Sequence, residues 1–154
     1  MVDEKNLSIA ESFLRALQAK HVEQVLSLFP EDGVWIAPEG TFTGRASIAN
    51  YLDWQLRQGQ DLKIAEGGNG IVTEGNRAFI EHTVAYHKGN ERVEYTVLCA
   101  LELKNLQVKR IRTVYDRLSV ERQAVTGTLS RWAVGRILKQ AEKGLLWSRK
   151  PRGR

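Results

Sequence analysis

The chain is short of cysteine, of histidine and of long apolar runs, and its last 33 residues are almost free of acids. Cys99 is the sole cysteine among 154 residues, so no intramolecular disulfide can form. His21, His82 and His87 stand at no ligand-like spacing from one another or from that thiol, which leaves no metal site to be read. No apolar stretch approaches the roughly 20 residues needed to span a bilayer, and Val2-Asp3-Glu4-Lys5-Asn6 lacks the apolar run of a signal peptide. These deficits predict a cytoplasmic, reducing setting with no membrane span. Gly67-Gly68-Asn69-Gly70 is glycine-rich, but Ile71-Val72-Thr73 after it reads as strand, so the strand-loop-helix context of a phosphate cradle is missing.

What is present suits one real core: 42% apolar residues in a chain too short for two comfortable domains. Charge is divided unevenly. Residues 1–121 carry 14 Lys/Arg against 17 Asp/Glu, whereas residues 122–154 carry 9 against one. The net charge of +5 therefore belongs to the tail and says little about the partners of the main domain. The expected organisation is a domain over 1–121 followed by a basic helical tail over 122–154.

Leu7, Ala10, Phe13, Leu14 and Leu17 recur at helical spacing, with Ser8 and Glu11 able to form a capping box if that helix starts late. Val22 to Phe29 forms a short second helix stopped by Pro30. Val34-Trp35-Ile36-Ala37 reads as an apolar edge strand, Pro38-Glu39-Gly40 as a turn, and a third helix opens near Gly44 and ends before Gln58-Gly59-Gln60. Strands follow at 62–66, 71–73, 78–86, 94–103 and 108–116. The Gly-rich run and the tight turns at Glu74-Gly75-Asn76-Arg77, Lys88-Gly89-Asn90 and Asn105-Leu106-Gln107 punctuate them. One face of 78–86 carries Ala78, Ile80, His82, Val84 and Tyr86. Helices first and strands afterwards make this α+β: a curved antiparallel sheet packed by N-terminal helices, plus a C-terminal helical extension. That extension spans about Thr128 to Ser148, with Leu129, Trp132, Ala133, Ile137, Ala141 and Leu145 on its apolar stripe and Arg149 to Arg154 as a frayed basic end.

The helix pair ending at Leu28-Phe29, the turn Glu31-Asp32-Gly33-Val34-Trp35, the segment Pro38 to Gly44-Arg45 to Ile48 and the strand end Val114-Tyr115-Asp116 carry a resemblance. In that order, over roughly residues 5–120, they resemble the nuclear transport factor 2-like superfamily. Within it the match is to the SnoaL-like polyketide cyclases and limonene-epoxide-hydrolase-like proteins. The resemblance implies a cone with an internal apolar pocket, commonly in a homodimer, and leaves the pocket chemistry open.

Ketosteroid isomerases of this fold place a carboxylate base just before the Pro of the first strand's turn, and a tyrosine and a protonated aspartate on the substrate carbonyl. Those positions hold Ala37, Phe13 and Cys99, which cannot repeat that chemistry. The two aspartates of the limonene epoxide hydrolases fall on Val84 and Thr113, and the arginine between them on His82. The cyclases use an aspartate near the end of the last strand, and that one falls on Asp116. The resemblance thus implies Asp116 as a general base and His82 as its acid or polarising partner. Trp35, Tyr51, Trp54, Val84, Tyr86, Cys99 and Thr113 are the expected pocket lining. Against that stands parity: Asp116 alternates away from Ile111, Thr113 and Tyr115, and an acid beside Arg112 and Arg117 also suits a surface ion pair.

Two functions remain open at this stage. One is a cofactor-independent cyclase, isomerase or hydrolase acting on an apolar, oxygenated small molecule; the other is a non-catalytic ligand-binding or dimeric interaction module. For the basic tail, packing on its own dimer ranks ahead of a membrane surface and of a nucleic acid or acidic partner.

Overall fold

Alternation of burial in Val34–Ala37 (β1) places Trp35 and Ala37 in the interior and Val34 and Ile36 nearer solvent, the pattern of a strand with one covered face. In the computed structural model, residues 2–125 and 127–148 are described, with side chains at 4–125, 127–140 and 143. Helix α1 (Val2–Gln18) and helix α2 (Val22–Ser27) precede β1. Strand β2 (Gly40–Thr43) and helix α3 (Arg45–Leu56) follow it. The chain then runs through β3 (Gln60–Glu74), β4 (Arg77–Lys88), β5 (Glu91–Lys104) and β6 (Gln107–Val114), and closes with α4 (Arg117–Ala124) and α5 (Thr128–Ser148). The result is α+β, a curved, unclosed six-stranded sheet with helices at both ends of the chain.

The strand order β2-β1-β6-β5-β4-β3 corrects two expectations. β1 is no edge strand, because β2 folds back on it and takes the edge. The sheet is not wholly antiparallel either: β1 runs parallel to β6, with Trp35 opposite Ile111, while β3 to β6 form the antiparallel meander. A tight turn joins β1 to β2, so β6 meets the other side of β1 after the whole meander has been laid down.

The Gly67 to Gly70 run is no turn between two strands. It lies inside one long β3, where register jumps between Glu66 and Ile71, a bulge against β4. Glu81 on β4 holds the bulge: its carboxylate accepts from the backbone N–H of Gly68 at 3.1 Å and of Asn69 at 3.3 Å, and from Asn69 Nδ2 at 2.9 Å. A Cβ at Gly67 would sit 3.1 Å from Glu81 Cγ and 3.2 Å from its backbone, so the close approach explains the small residue there. Ser8 caps nothing. It sits within α1, where its carbonyl accepts from Ser12 Oγ at 2.7 Å.

Ala10, Phe13, Leu14 and Leu17 on α1 are buried and cover β3 and β4. Trp35 is 1% exposed and lies among Phe13, Phe29 and Tyr51, stacked on Phe29 at 5.9 Å between ring centroids. Arg45 Nε and Nη2 donate to the Phe29 carbonyl at 2.9 and 2.7 Å, which ties the start of α3 to the end of the helix pair. The sheet face turned away from the helices leaves Val72, Phe79, Leu98 and Val114 about half exposed. On α5, Leu129, Trp132, Ala133 and Ile137 are exposed, while Val134 and Leu138 are half-buried; the side chains of Ala141 and Leu145, and the end from Arg149, lie outside the described residues.

Candidate functional site

Alternation along β4, β5 and β6 brings His82, Val84, Val97, Cys99 and Thr113 onto the helix-facing side, and Trp35 joins them from β1. Together with Leu17, Gln55, Leu56, Leu62 and Ile64 they line an inner cavity of about 20 Å³, room for one water-sized guest. Its walls are mostly satisfied. Trp35 Nε1 donates to Thr113 Oγ1 at 2.9 Å, and Thr113 Oγ1 lies 3.5 Å from Cys99 Sγ. Burial pushes the Cys99 thiol up to about 12, so it stays protonated and is no nucleophile near neutral pH.

His82 is the exception. It is 4% exposed, and its Nδ1 has no hydrogen-bond partner among the described residues. Burial lowers its pKa to about 4, which keeps the imidazole neutral at pH 7, with one ring nitrogen able to donate and the other to accept.

A second, wider cleft of about 60 Å³ opens where α4 crosses the end of the sheet. Glu39, Trp54, Gln55, Tyr86, Tyr95 and Tyr115 line it, with Lys88, Arg117 and Glu121 among its further residues. Gln55 stands on the wall of both spaces. Glu39, in the Pro38-Glu39-Gly40 turn between β1 and β2, is half-buried and accepts from two phenols: Tyr51 Oη at 3.2 Å and Tyr115 Oη in a shorter contact. Burial first, then the Glu39 carboxylate, holds the Tyr51 and Tyr115 hydroxyls well above the ordinary phenol range. Tyr95 is raised too, by burial and then by its neighbours Tyr86 and Glu39. All three phenols are therefore neutral donors.

The residues expected to line a pocket divide between the two spaces. Trp35, Val84, Cys99 and Thr113 surround the inner cavity with His82; Trp54 and Tyr86 line the outer cleft, and Tyr51 reaches it through Glu39. Asp116 reaches neither, which corrects the expectation that it faces the pocket. β6 ends at Val114, no bulge shifts the register at its end, and Asp116 is exposed as the N-cap of α4, accepting from Ser119 N–H at 3.0 Å. Asp116 lies beyond the strand, so capping of α4 and not strand alternation sets where its carboxylate goes. Glu39 escaped the sequence reading because the carboxylate was sought before Pro38, where Ala37 stands, and not after it. Tyr115, on the parity of Thr113, was the available signal that the last strand's end points inward. Among the described residues no three His, Cys, Asp or Glu side chains gather as a metal site, and no helix is long and apolar enough to cross a membrane.

The SnoaL-like domain family matches the chain over residues 10–111. No curated protein matches it. Among solved structures it resembles a protein with a ketosteroid isomerase-like fold from Catenulispora acidiphila, in complex with trimethylamine, at 18% identity and a TM-score of 0.66, over 75% of this chain and 91% of that one. An NTF2-like protein from Burkholderia xenovorans shares 22% identity at a TM-score of 0.66, covering 81% and 99%. A limonene-epoxide-hydrolase-like epoxide hydrolase from M. tuberculosis shares 21% identity at 0.63, covering 79% and 90%. Identities at this level speak for the fold alone.

Proposed function

Because the chain belongs to the SnoaL-like domain family, with the nuclear transport factor 2-like fold, we propose that it is a small-molecule pocket enzyme. It works by acid/base chemistry without a cofactor on an apolar, oxygenated substrate. One observation carries this reading: a carboxylate held by two neutral phenols and an unpartnered neutral imidazole stand on the walls of two adjoining spaces that share Gln55. The substrate body occupies the outer cleft. Glu39, positioned by the Tyr51 and Tyr115 hydroxyls that donate to it, takes a proton from an acidic C–H, and the neutral phenol of Tyr95 on the same wall donates to the oxygen on which charge develops. His82 hydrogen-bonds whichever polar group reaches the inner cavity.

The test is hydrogen–deuterium exchange at the α-carbon of a bicyclic ketone such as 2-tetralone, followed by NMR in D2O. The wild-type protein accelerates exchange, and Glu39→Gln lowers the rate by about 100-fold, the low end for a removed general base. Asp116→Asn discriminates between the two carboxylates. Loss of exchange there, with Glu39→Gln unaffected, would return the base to the end of the last strand.

For association we propose a homodimer through the open sheet face. Phe79, Ala100 and Arg112 form one cross-strand row, and Glu81, Leu98 and Val114 the next, so Glu81 and Arg112 occupy opposite corners of an apolar patch. A two-fold axis along the Phe79 to Val114 diagonal sets Glu81 against Arg112 of a second copy, a self-complementary charge pattern.

A further inference from the structure

The outer cleft has more aromatic wall than proton transfer requires. Tyr86 meets Tyr95 edge-on with centroids 6.5 Å apart, Tyr95 lies 5.1 Å from Tyr115, and Trp54, 48% exposed, stacks on Tyr51 at 6.0 Å. Between these two groups of rings sits Glu39.

Among the described residues, that carboxylate has no cation partner within ion-pair distance. Lys88 and Arg117 lie on the same cleft, yet neither forms an ion pair with Glu39, and both are exposed. The two phenols occupy two of roughly four lone-pair sites on the carboxylate, so acceptor capacity remains. A half-buried negative charge among electron-rich ring faces is the environment that favours an organic cation. The rings attract it through their quadrupoles, and the carboxylate attracts it directly. Water-loving rim charges such as Lys88 compete poorly for such a place, because an ammonium on a long stem keeps its hydration by staying out.

We propose that the outer cleft binds an alkylammonium group: a tertiary amine, protonated and donating to Glu39, or a quaternary nitrogen packed against Trp54 and Tyr95. This names the polar end of the substrate for the cleft of the proposed reaction, but it rests on the cleft's rings and charge and not on catalysis. Binding is therefore measured, and turnover is not.

The probes are choline, its neutral carbon isostere 3,3-dimethylbutan-1-ol, and the anion 3,3-dimethylbutanoate, each titrated into the full chain and followed by amide NMR shifts. Choline is expected to move signals at Glu39-Gly40 and Tyr115 and to bind at least 10-fold more tightly than the neutral isostere. Glu39→Gln weakens choline at least fivefold. Trp54→Leu, on an exposed wall where folding is undisturbed, weakens it as well, with an unchanged melting midpoint. Equal or tighter binding of the neutral isostere, tighter binding of the anion, no saturable shift with choline, or wild-type choline affinity in Glu39→Gln would each overturn the proposal. Choline binding with no ketone exchange would leave the amine site standing and remove the proposed reaction; the reverse result would do the opposite.

Discussion

At the scale of single residues, His82 couples the site to pH. Its folded pKa of about 4 lies below the ordinary 6.5, so between those values the unfolded chain binds the extra proton and the folded one does not. Stability is complete above pH 6.5 and falls as pH drops towards 4, by roughly 3 kcal/mol over the whole window. His82→Gln removes the titrating group, so a urea series from pH 7 to pH 4.5 should show a flatter midpoint than wild type. A parallel decline in both proteins would mean that the acid sensitivity comes from elsewhere. Asp116 calls for a different measurement. As the N-cap that accepts from Ser119, its replacement by alanine should cost about 1 kcal/mol at neutral pH and leave choline binding alone. A stability unchanged in Asp116→Ala would show that α4 is held by Val120, Ala124 and the Gln123 hydrogen bonds to the Glu94 backbone.

At the scale of elements, the junction between α3 and β3 controls the cleft. A Cβ on Gly59 would fall 2.2 Å from Tyr86 Cδ2 and 2.5 Å from the His87 carbonyl, and the backbone oxygen cannot move aside. Gly59→Ala should therefore destabilise by about 1–3 kcal/mol, as overpacking does, and should displace Tyr86 from the cleft wall. Full stability with weakened choline binding would mean that the ring gives way instead of the backbone. This junction also shows how far the chain could be read in advance. Gly59 was legible as a helix stop because local punctuation writes element ends, and the paired-turn signals at Gly75-Asn76 and Lys88-Gly89 placed the meander for the same reason. The parallel contact of β1 with β6 was not legible, since it joins residues 76 apart in sequence and no local signal encodes it. The site divides along the same line. His82, Val84 and Thr113 follow from period-two alternation, whereas Glu39 becomes a site residue only through Tyr51 and Tyr115, two hydroxyls delivered by a helix and a strand that nothing local associates.

At the scale of the whole molecule, two apolar surfaces compete as the interface of the proposed homodimer: the sheet patch of Phe79, Leu98 and Val114, and the exposed stripe of Leu129, Trp132 and Ile137 on α5. The sheet patch has charge at opposite corners that a second copy can answer, while α5 carries Arg131, Arg136, Lys139 and Lys143 against the single acid Glu142, with Arg131 paired to Glu91 of its own chain. A stable pair needs roughly 800 Å² from each partner, and the self-complementary charge of the sheet patch makes it the expected core of that interface, with α5 adding to it. Leu98→Glu places a charge in the middle of the patch without touching the helix-facing core. Sedimentation should then show monomer at concentrations where wild type is paired, an increase in dissociation constant of at least 100-fold. Deletion after residue 124 should weaken the wild-type pair by a smaller factor if α5 packs on the dimer. Because the tail carries the net positive charge, with 9 Lys/Arg against one acid, the truncated protein should also lose any salt-sensitive affinity for polyanions. If the truncated chain is monomeric while Leu98→Glu still pairs, the order is reversed: α5 is the interface, and the sheet face is free for another use.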